Sequence, residues 1–153
     1  FTQLTYPVDV VMAPIGGGGL LSGSAMVAKS DEINYSPHVI GAEPEGAKDA
    51  WQGFKSGERI SQFSPETIAD GLRATVGLRN FKIIYEQVDD ILLASEKRIV
   101  EAMKLIWSRL KVVVEPSAAV PLACIMEEPE KFHGQRVAII LTGGNLDTDQ
   151  LPW

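Results

Sequence analysis

The sequence contains a single cysteine, Cys124, and only two histidines, His38 and His133. An internal disulfide is therefore excluded, as is a zinc motif of cysteines and histidines, and we expect a reducing, cytoplasmic location. The charge balance is acidic, with 14 basic and 20 acidic residues and no basic cluster, so we expect no nucleic-acid partner. The longest apolar runs, 8–15 and 137–141, fall far short of the roughly 20 residues that span a membrane, so we expect no membrane segment.

The composition also excludes disordered, fibrous and collagen-like chains. Of the 153 residues, 45% are hydrophobic and 22% are charged, which is ordinary for one globular domain. The chain begins with Phe1 rather than methionine. We therefore expect it to be a part of a longer protein.

Short β-branched runs alternate with segments of helix-forming residues along the chain. This order predicts an α/β fold with three layers, in which a mostly parallel sheet carries helices on both faces. The clearest helix follows Ser95, a residue suited to the N-cap. Its buried face is expected to carry Ile99, Met103, Ile106 and Leu110. We expect strands at 8–15, 38–43, 90–94, 112–114 and 135–141, helices at 20–29, 46–56, 81–88, 96–110 and 116–126, and mostly loop at 57–80.

Three of the expected strands are followed by residues that suit ligand binding. Gly16 to Gly19 follow the first strand, Glu43 ends the second, and Thr142 to Asn145 follow the last. The carboxyl ends of parallel strands meet at one edge of a sheet, where ligands of open α/β sheets bind. We therefore expect these three features to face one cleft.

The run Gly16 to Gly19 stands between an expected strand and an expected helix. Consecutive glycines let several N–H groups curl around a phosphate with no Cβ atoms in the way, so we interpret the run as an anion site, with a flexible turn as the alternative. It is not a Walker A loop, and no register matches G-x-G-x-x-G. A dinucleotide site nevertheless stays open, because Glu43 stands where a ribose-binding acid would.

Five motifs in this sequence, in the same order, resemble the C-terminal half of the serine racemase and serine/threonine dehydratase family. The members of that family are pyridoxal-phosphate (PLP) enzymes of fold type II. The resemblance covers nearly the whole chain and implies that residues 1–153 form the C-terminal portion of the large PLP-binding domain. The motifs are Ala13-Pro14-Ile15-Gly16-Gly17-Gly18-Gly19-Leu20, Gly41-Ala42-Glu43-Pro44, Glu66-Thr67-Ile68-Ala69-Asp70-Gly71, Val114-Glu115-Pro116-Ser117-Ala118-Ala119 and Leu141-Thr142-Gly143-Gly144-Asn145.

The resemblance implies a set of cofactor-binding residues. The loop from Gly16 through Gly17, Gly18 and Gly19 to Leu20 would hold the PLP phosphate. Gly71 would approach the cofactor ring, with Glu115 nearby. Thr142 would form a hydrogen bond with the pyridine nitrogen.

The racemase branch of the family also implies a cation and a nucleotide. The cation ligands would be the side chains of Glu43 and Asp49 and the carbonyl of Ala47, and such oxygen ligands suit Mg²⁺ or Ca²⁺. A solvated helix start is the alternative for the two carboxylates. Lys111 and Asn145 match two contacts of the nucleotide that this branch binds at a subunit interface, which implies ATP as an effector.

The lysine that forms the Schiff base in this family has no counterpart among the lysines of the chain, and neither does the segment that grips the substrate carboxylate. We therefore expect the isolated chain to be inactive and to need the missing N-terminal segment. The resemblance implies that the intact enzyme is a homodimer. It would act on serine, threonine or 3-hydroxyaspartate, with elimination to a 2-oxo acid and ammonia, or with racemisation. A non-catalytic nucleotide- or phosphate-binding α/β domain is the alternative.

The other residues of potential chemical interest are expected to be structural. His133 lies in a polar stretch and is expected on the surface. Cys124 is expected in the core, and Trp51 and Trp107 are expected to pack on amphipathic helices.

Overall fold

The computed structural model describes residues 4–153. The strands are β1 (Val10–Pro14), β2 (His38–Pro44), β3 (Asp90–Ala94) and β4 (Val137–Ile139), and the helices are α1 (Gly19–Ala28), α2 (Asp49–Ser56), α3 (Leu78–Gln87), α4 (Glu96–Leu110) and α5 (Pro116–Glu127). Within the described residues the strands form one parallel sheet in the order β3-β2-β1-β4. None of the helices between residues 4 and 153 has the length and apolar character needed to cross a membrane.

The side chains of β1 alternate between two apolar cores, one on each face of the sheet. Val10 and Met12 pack in the core that α4 and α5 cover, whereas Ala13 packs in the core that α1 and α3 cover, as does Ile15 directly after the strand. Every residue of β1 is buried because helices lie on both faces. This arrangement confirms the three-layer α/β fold with a parallel sheet.

Helix α4 matches its prediction at the start and differs at the end. The Ser95 hydroxyl caps the helix by accepting a hydrogen bond from the Arg98 amide at 3.3 Å. Three of the four apolar residues expected on its inner face, Ile99, Met103 and Ile106, are buried, but Leu110 is 61% exposed. The reason is local: the helix ends at Leu110, where the chain turns away from the core.

Residues 112–114 do not form the expected strand, and this prediction was wrong. They connect α4 to α5, with Val112 and Val113 exposed and Val114 buried. The Val114 carbonyl accepts a hydrogen bond from the Trp107 indole at 2.9 Å, which fixes the connection against α4. A β-branched run favours extended backbone, but none of the four strands in the part of the chain that the structure describes pairs with it.

Two other boundaries also differ from expectation. Helix α3 begins at Leu78, three residues early, and the expected loop 57–80 contains a 3₁₀ turn at Asp70–Leu72. A separate 3₁₀ turn at Glu45–Ala47 precedes α2, so the expected helix 46–56 is divided. Both segments form hydrogen bonds with distant parts of the chain that the local sequence does not reveal: the Gly77 amide donates to the Gly17 carbonyl, and the Glu66 amide donates to the Gly46 carbonyl.

The residues expected to be structural are placed as predicted. Cys124 is completely buried in α5, and its thiol donates to the Leu92 carbonyl at 3.5 Å. Trp51 and Trp107 are partly buried against the two cores. His133 is exposed.

One end of the sheet carries an open apolar surface. Strand β4 is the edge strand beside β1, and each of its residues is only half-buried. On α1, the side chains of Leu20, Met26 and Val27 are also exposed. An open strand edge and exposed apolar side chains both invite association with another segment. Association through this surface is a prediction.

Candidate functional site

A cleft opens at the carboxyl end of the sheet, where β1 ends at Pro14 and the chain continues from β4 to Thr142. Its volume is about 270 Å³. All eight residues that the resemblance assigns to the cofactor line this cleft, although they come from four separate parts of the chain. The lining residues are Pro14, Gly16, Gly17, Gly18, Gly19, Leu20, Gly71, Leu72, Glu115, Ser117 and Thr142.

The glycine loop forms one wall and leads directly into α1. Gly18 has a φ of 83° and is the N-cap of α1, and a Cβ there would lie 3.0 Å from side-chain atoms of Val76 and Asn80. A Cβ on Gly16 would lie 2.8 Å from the Gly71 carbonyl oxygen. Both positions therefore need glycine, one for its backbone conformation and both for close packing.

The backbone amides of this loop are available for an anion. Among the described residues, no protein group accepts a hydrogen bond from the amides of Gly17, Gly18 or Gly19. The first turn of a helix leaves its N–H groups unpaired, and the helix dipole adds partial positive charge at the same place. This wall has the composition of an anion site at a helix N-terminus.

The opposite wall is built from the Asp70–Leu72 turn and the start of α5. The Gly71 amide donates to the Ser117 hydroxyl at 3.1 Å, and a Cβ on Gly71 would lie 3.0 Å from that oxygen. Arg73 steadies the turn by donating from Nε and Nη2 to the Thr67 carbonyl at 3.2 and 2.7 Å. Sequence reasoning gave Ser117 no role in the site, although this residue lies in one of the five motifs, two residues after Glu115.

Thr142 is held at the cleft by its neighbours. The Glu115 amide donates to the Gly143 carbonyl at 3.0 Å, and a Cβ on Gly143 would lie 2.6 Å from Glu115 Oε1. A Cβ on Gly144 would meet the Val113 carbonyl oxygen at 2.7 Å. The two glycines let the chain after β4 run tightly against residues 113–115, and this contact brings Thr142 to the same cleft as Glu115.

Glu43 lies outside this cleft, so the expectation that it faces the glycine loop was wrong. Its carboxylate is 1% exposed and accepts hydrogen bonds from the amides of Ala50 at 3.0 Å and Trp51 at 2.8 Å. These amides belong to the first turn of α2. A carboxylate engaged in this way is not placed for the ribose of a dinucleotide on the glycine loop, which weakens that alternative.

Glu43 and Asp49 lie together at the start of α2. Burial raises the pKa of Glu43 to about 8, although the amides of Trp51 and Ala50 favour its charged form, and the nearby Asp49 raises this pKa further. Burial also raises the pKa of Asp49 above its ordinary value. Ala47, the third residue implied for the cation, is buried in the turn before α2.

The implied cation ligands include only two acidic side chains. Across residues 4–153, no group of three or more histidine, cysteine, aspartate or glutamate side chains is placed to hold a metal ion. A cation at this position would therefore depend on the carbonyl of Ala47 and on water as well as on Glu43 and Asp49.

The two residues implied for a nucleotide are both exposed on the surface. Lys111 follows α4 and is exposed, with a φ of 59°. Asn145 is exposed after the segment that carries Thr142. The segments that carry them are in contact, because Gly144 lies against Val113.

The chain is similar to known proteins along nearly its whole length. Residues 1–143 match the family model described as pyridoxal-phosphate dependent enzyme. The chain is 47% identical over 146 residues to the beta-hydroxyaspartate dehydratase of Paracoccus denitrificans, and the matched region covers 95% of this chain and 46% of that protein. The chain thus spans about half the length of the curated relatives it matches.

The chain is also similar to solved structures of enzymes, and the similarity again covers about half of each. The serine racemase of Dictyostelium discoideum is 44% identical with a TM-score of 0.85, over 95% of this chain and 46% of that one. The processed form of threonine deaminase isoform 2 from Solanum lycopersicum is 29% identical with a TM-score of 0.89, over 98% of this chain and 41% of that one. The fold is that of the fold type II PLP domain, and the chain belongs to the family of pyridoxal-phosphate-dependent enzymes.

Proposed function

We propose that this chain is the C-terminal portion of the large domain of a PLP-dependent enzyme that acts on small hydroxy amino acids. The intact enzyme would release ammonia and a 2-oxo acid from its substrate, or racemise it. One observation carries the proposal: the eight residues implied for the cofactor line a single cleft. The similar proteins include a hydroxyaspartate dehydratase, a serine racemase and a threonine deaminase, and these names define the substrate class we propose.

The phosphate end of the cofactor fits the glycine loop. A phosphate needs several donors close together, and the amides of Gly17, Gly18 and Gly19 have no acceptor in the described protein. A Cβ on Gly17 would meet no atom within 4 Å, so the space beside the loop is open. With Gly16 and Leu20 completing the loop, this wall would hold the phosphate without any lysine or arginine.

The ring end fits the opposite wall. The hydroxyl of Thr142 can donate to an unprotonated pyridine nitrogen or accept from a protonated one. Gly71 offers a flat surface without a side chain, and Glu115 closes the cleft beside it. Bound PLP supplies an electron sink for the carbon next to the amino group, and the protein residues orient the ring and set its charge.

The cation site is proposed at the start of α2. Glu43 is almost completely buried and makes no ion pair within residues 4–153, and Asp49 is also buried. Two buried carboxylates side by side are costly when both are charged, and either protonation of Glu43, whose pKa is raised to about 8, or a bound cation relieves that cost. Mg²⁺ or Ca²⁺, bound by Glu43, Asp49 and the Ala47 carbonyl, would be that cation.

The remaining parts of the enzyme would come from outside this chain. A cleft of about 270 Å³ is slightly below the roughly 300–1,000 Å³ of ordinary ligand pockets, so further walls are needed. We propose that the rest of the protein covers the open edge of β4 and supplies the reactive lysine. A homodimer with ATP as an effector near Lys111 and Asn145 belongs to the same proposal.

Two measurements on the full-length protein test this function. Titration with PLP should change the absorption spectrum with one site per chain, whereas NAD should produce no binding. Incubation with L-serine, L-threonine or L-threo-3-hydroxyaspartate should release ammonia or change the optical purity of the amino acid. Binding of NAD or of a nucleotide in the glycine-loop cleft, without binding of PLP, would instead establish the non-catalytic alternative.

A further inference from the structure

The glycine loop is held from behind by a side chain of α3. The carboxamide of Asn80 donates from Nδ2 to the Gly17 carbonyl oxygen at 2.7 Å, which is a short hydrogen bond. The amide of Gly77 donates to the same oxygen at 3.1 Å. The Gly17 carbonyl is therefore fixed by two donors that both come from the start of α3.

The other end of the Asn80 carboxamide faces α1. Its Oδ1 accepts from the Ser22 hydroxyl at 3.4 Å, and the same hydroxyl lies 3.1 Å from the Gly19 carbonyl oxygen. Ser22 is 4% exposed and lies one turn into α1. Asn80 thus connects the middle of the glycine loop to the helix that follows the loop.

These contacts determine where the loop amides point. In a trans peptide the C=O and the following N–H point in opposite directions. Because the Gly17 carbonyl points to α3, the Gly18 N–H points away from α3. Gly17 and Gly18 both line the cleft, so this orientation suits an anion bound there.

We propose that Asn80 is a positioning residue for phosphate recognition: by holding the Gly17 carbonyl, it keeps the Gly18 amide directed at the cofactor phosphate. The inference rests on the proposed function, and Asn80 itself lies outside the cleft lining. Its effect is confined to the phosphate end, because the ring end is held by Thr142, Gly71 and Glu115. Asn80 should therefore affect PLP and pyridoxal, which lacks the phosphate, differently.

The test compares the affinities of the full-length protein for PLP and for pyridoxal, measured by absorbance titration after removal of bound cofactor. The wild-type protein should bind PLP more tightly. Asn80→Ala keeps the Cβ that faces Gly18 and removes the carboxamide. Loss of one hydrogen bond should lower the PLP affinity about three- to tenfold and leave the pyridoxal affinity unchanged.

A second variant keeps the inference falsifiable if Asn80→Ala does not fold. Asn80→Asp has the same shape but presents an oxygen to the Gly17 carbonyl, so its ratio of PLP to pyridoxal affinity should fall at least as far. Leu78→Ala, at a 73% exposed position in the same helical turn, is the control and should leave both affinities unchanged.

The outcomes separate the two proposals. A wild-type protein that binds PLP and pyridoxal equally would overturn the phosphate cradle and the role of Asn80 with it. A wild-type preference for PLP that persists undiminished in a folded Asn80 variant would overturn the role of Asn80 alone. Equal losses for PLP and pyridoxal would assign Asn80 a structural role and would also overturn the inference.

Discussion

The carboxylate of Asp49 accepts a hydrogen bond from the Val76 amide at 3.1 Å. The next residue, Gly77, donates its own amide to the Gly17 carbonyl oxygen at 3.1 Å. The start of α2 and the glycine loop are therefore joined by two hydrogen bonds through two adjacent residues. We therefore expect a substitution of Asp49 to alter the position of the Gly17 carbonyl and, with it, the affinity of the glycine loop for phosphate.

The cation proposal predicts a thermal effect. Mg²⁺ or Ca²⁺ should raise the melting temperature of the full-length protein, because a ligand of the folded state stabilises it by mass action, by about 2.7 kcal/mol at 100 times Kd. Asp49→Ala should abolish the increment. Asp31→Ala, an exposed acid in the loop after α1, should retain it and serves as the control. An unchanged cation response in Asp49→Ala would remove Glu43, Ala47 and Asp49 from the site.

Thr142 is expected to control both the affinity and the spectrum of the cofactor. Thr142→Ala removes the hydroxyl and should lower PLP affinity and turnover, by about two- to tenfold in affinity for one hydrogen bond. Thr142→Ser keeps the hydroxyl and should stay close to wild type. Thr142→Asp should hold a proton on the ring nitrogen and shift the absorption spectrum of the bound cofactor. Wild-type rates and spectra in both Thr142→Ala and Thr142→Asp would show that Thr142 does not touch the ring.

The isolated 153-residue chain should not attach PLP covalently at one site. None of its lysines lies in the sequence context that the resemblance requires for the reactive lysine, and none lines the cleft. Borohydride reduction followed by peptide mass spectrometry should find only scattered, substoichiometric labelling. Stoichiometric labelling of one lysine, for example Lys111, would refute the assignment of the reactive lysine to another part of the protein.

Asp89 should make stability depend on acid pH. Burial opposes its charge, but hydrogen bonds from Lys29 at 2.8 Å and the Val39 amide at 2.7 Å lower its pKa below the ordinary value of 3.8. Its contribution is therefore present above about pH 4 and is lost as the pH falls through the lowered pKa. Asp89→Asn should cost about 1 kcal/mol at pH 7, since the pair is partly exposed, and progressively less below pH 4 in urea unfolding. A cost that stays constant from pH 7 to pH 2 would contradict this.

Cys124 should report on folding. Burial raises the pKa of its thiol far above the ordinary value, and a protonated, enclosed thiol reacts poorly. A thiol reagent should label Cys124 slowly in the native protein and rapidly once denaturant is added, as read by peptide mass spectrometry. The same comparison on the isolated chain will show whether it folds without a partner. Rapid labelling of Cys124 in the folded full-length protein would place this residue outside the core.

The parts of the fold that sequence reasoning captured depend on local chemistry. The β-branched run at β1 and the glycines after it predict a strand, a loop and a helix, because backbone preferences act within a few residues. Ser95 marks the start of α4 for the same reason. The resemblance added Gly71, Glu115 and Thr142, which no local pattern would have connected to the glycine loop.

Tertiary structure decided what depends on distant partners. Val112 and Val113 have the residue type of a strand, but a strand needs another strand to pair with, and between residues 4 and 153 none pairs with them. Glu43 lies at the end of β2, where a ligand-binding acid is expected. Its carboxylate instead accepts hydrogen bonds from two amides of α2 and lies outside the cleft. The hydrogen bond from Asn80 to the Gly17 carbonyl joins residues that are 63 positions apart in the sequence. It forms because α3 packs beside α1, which places the Asn80 carboxamide against the glycine loop.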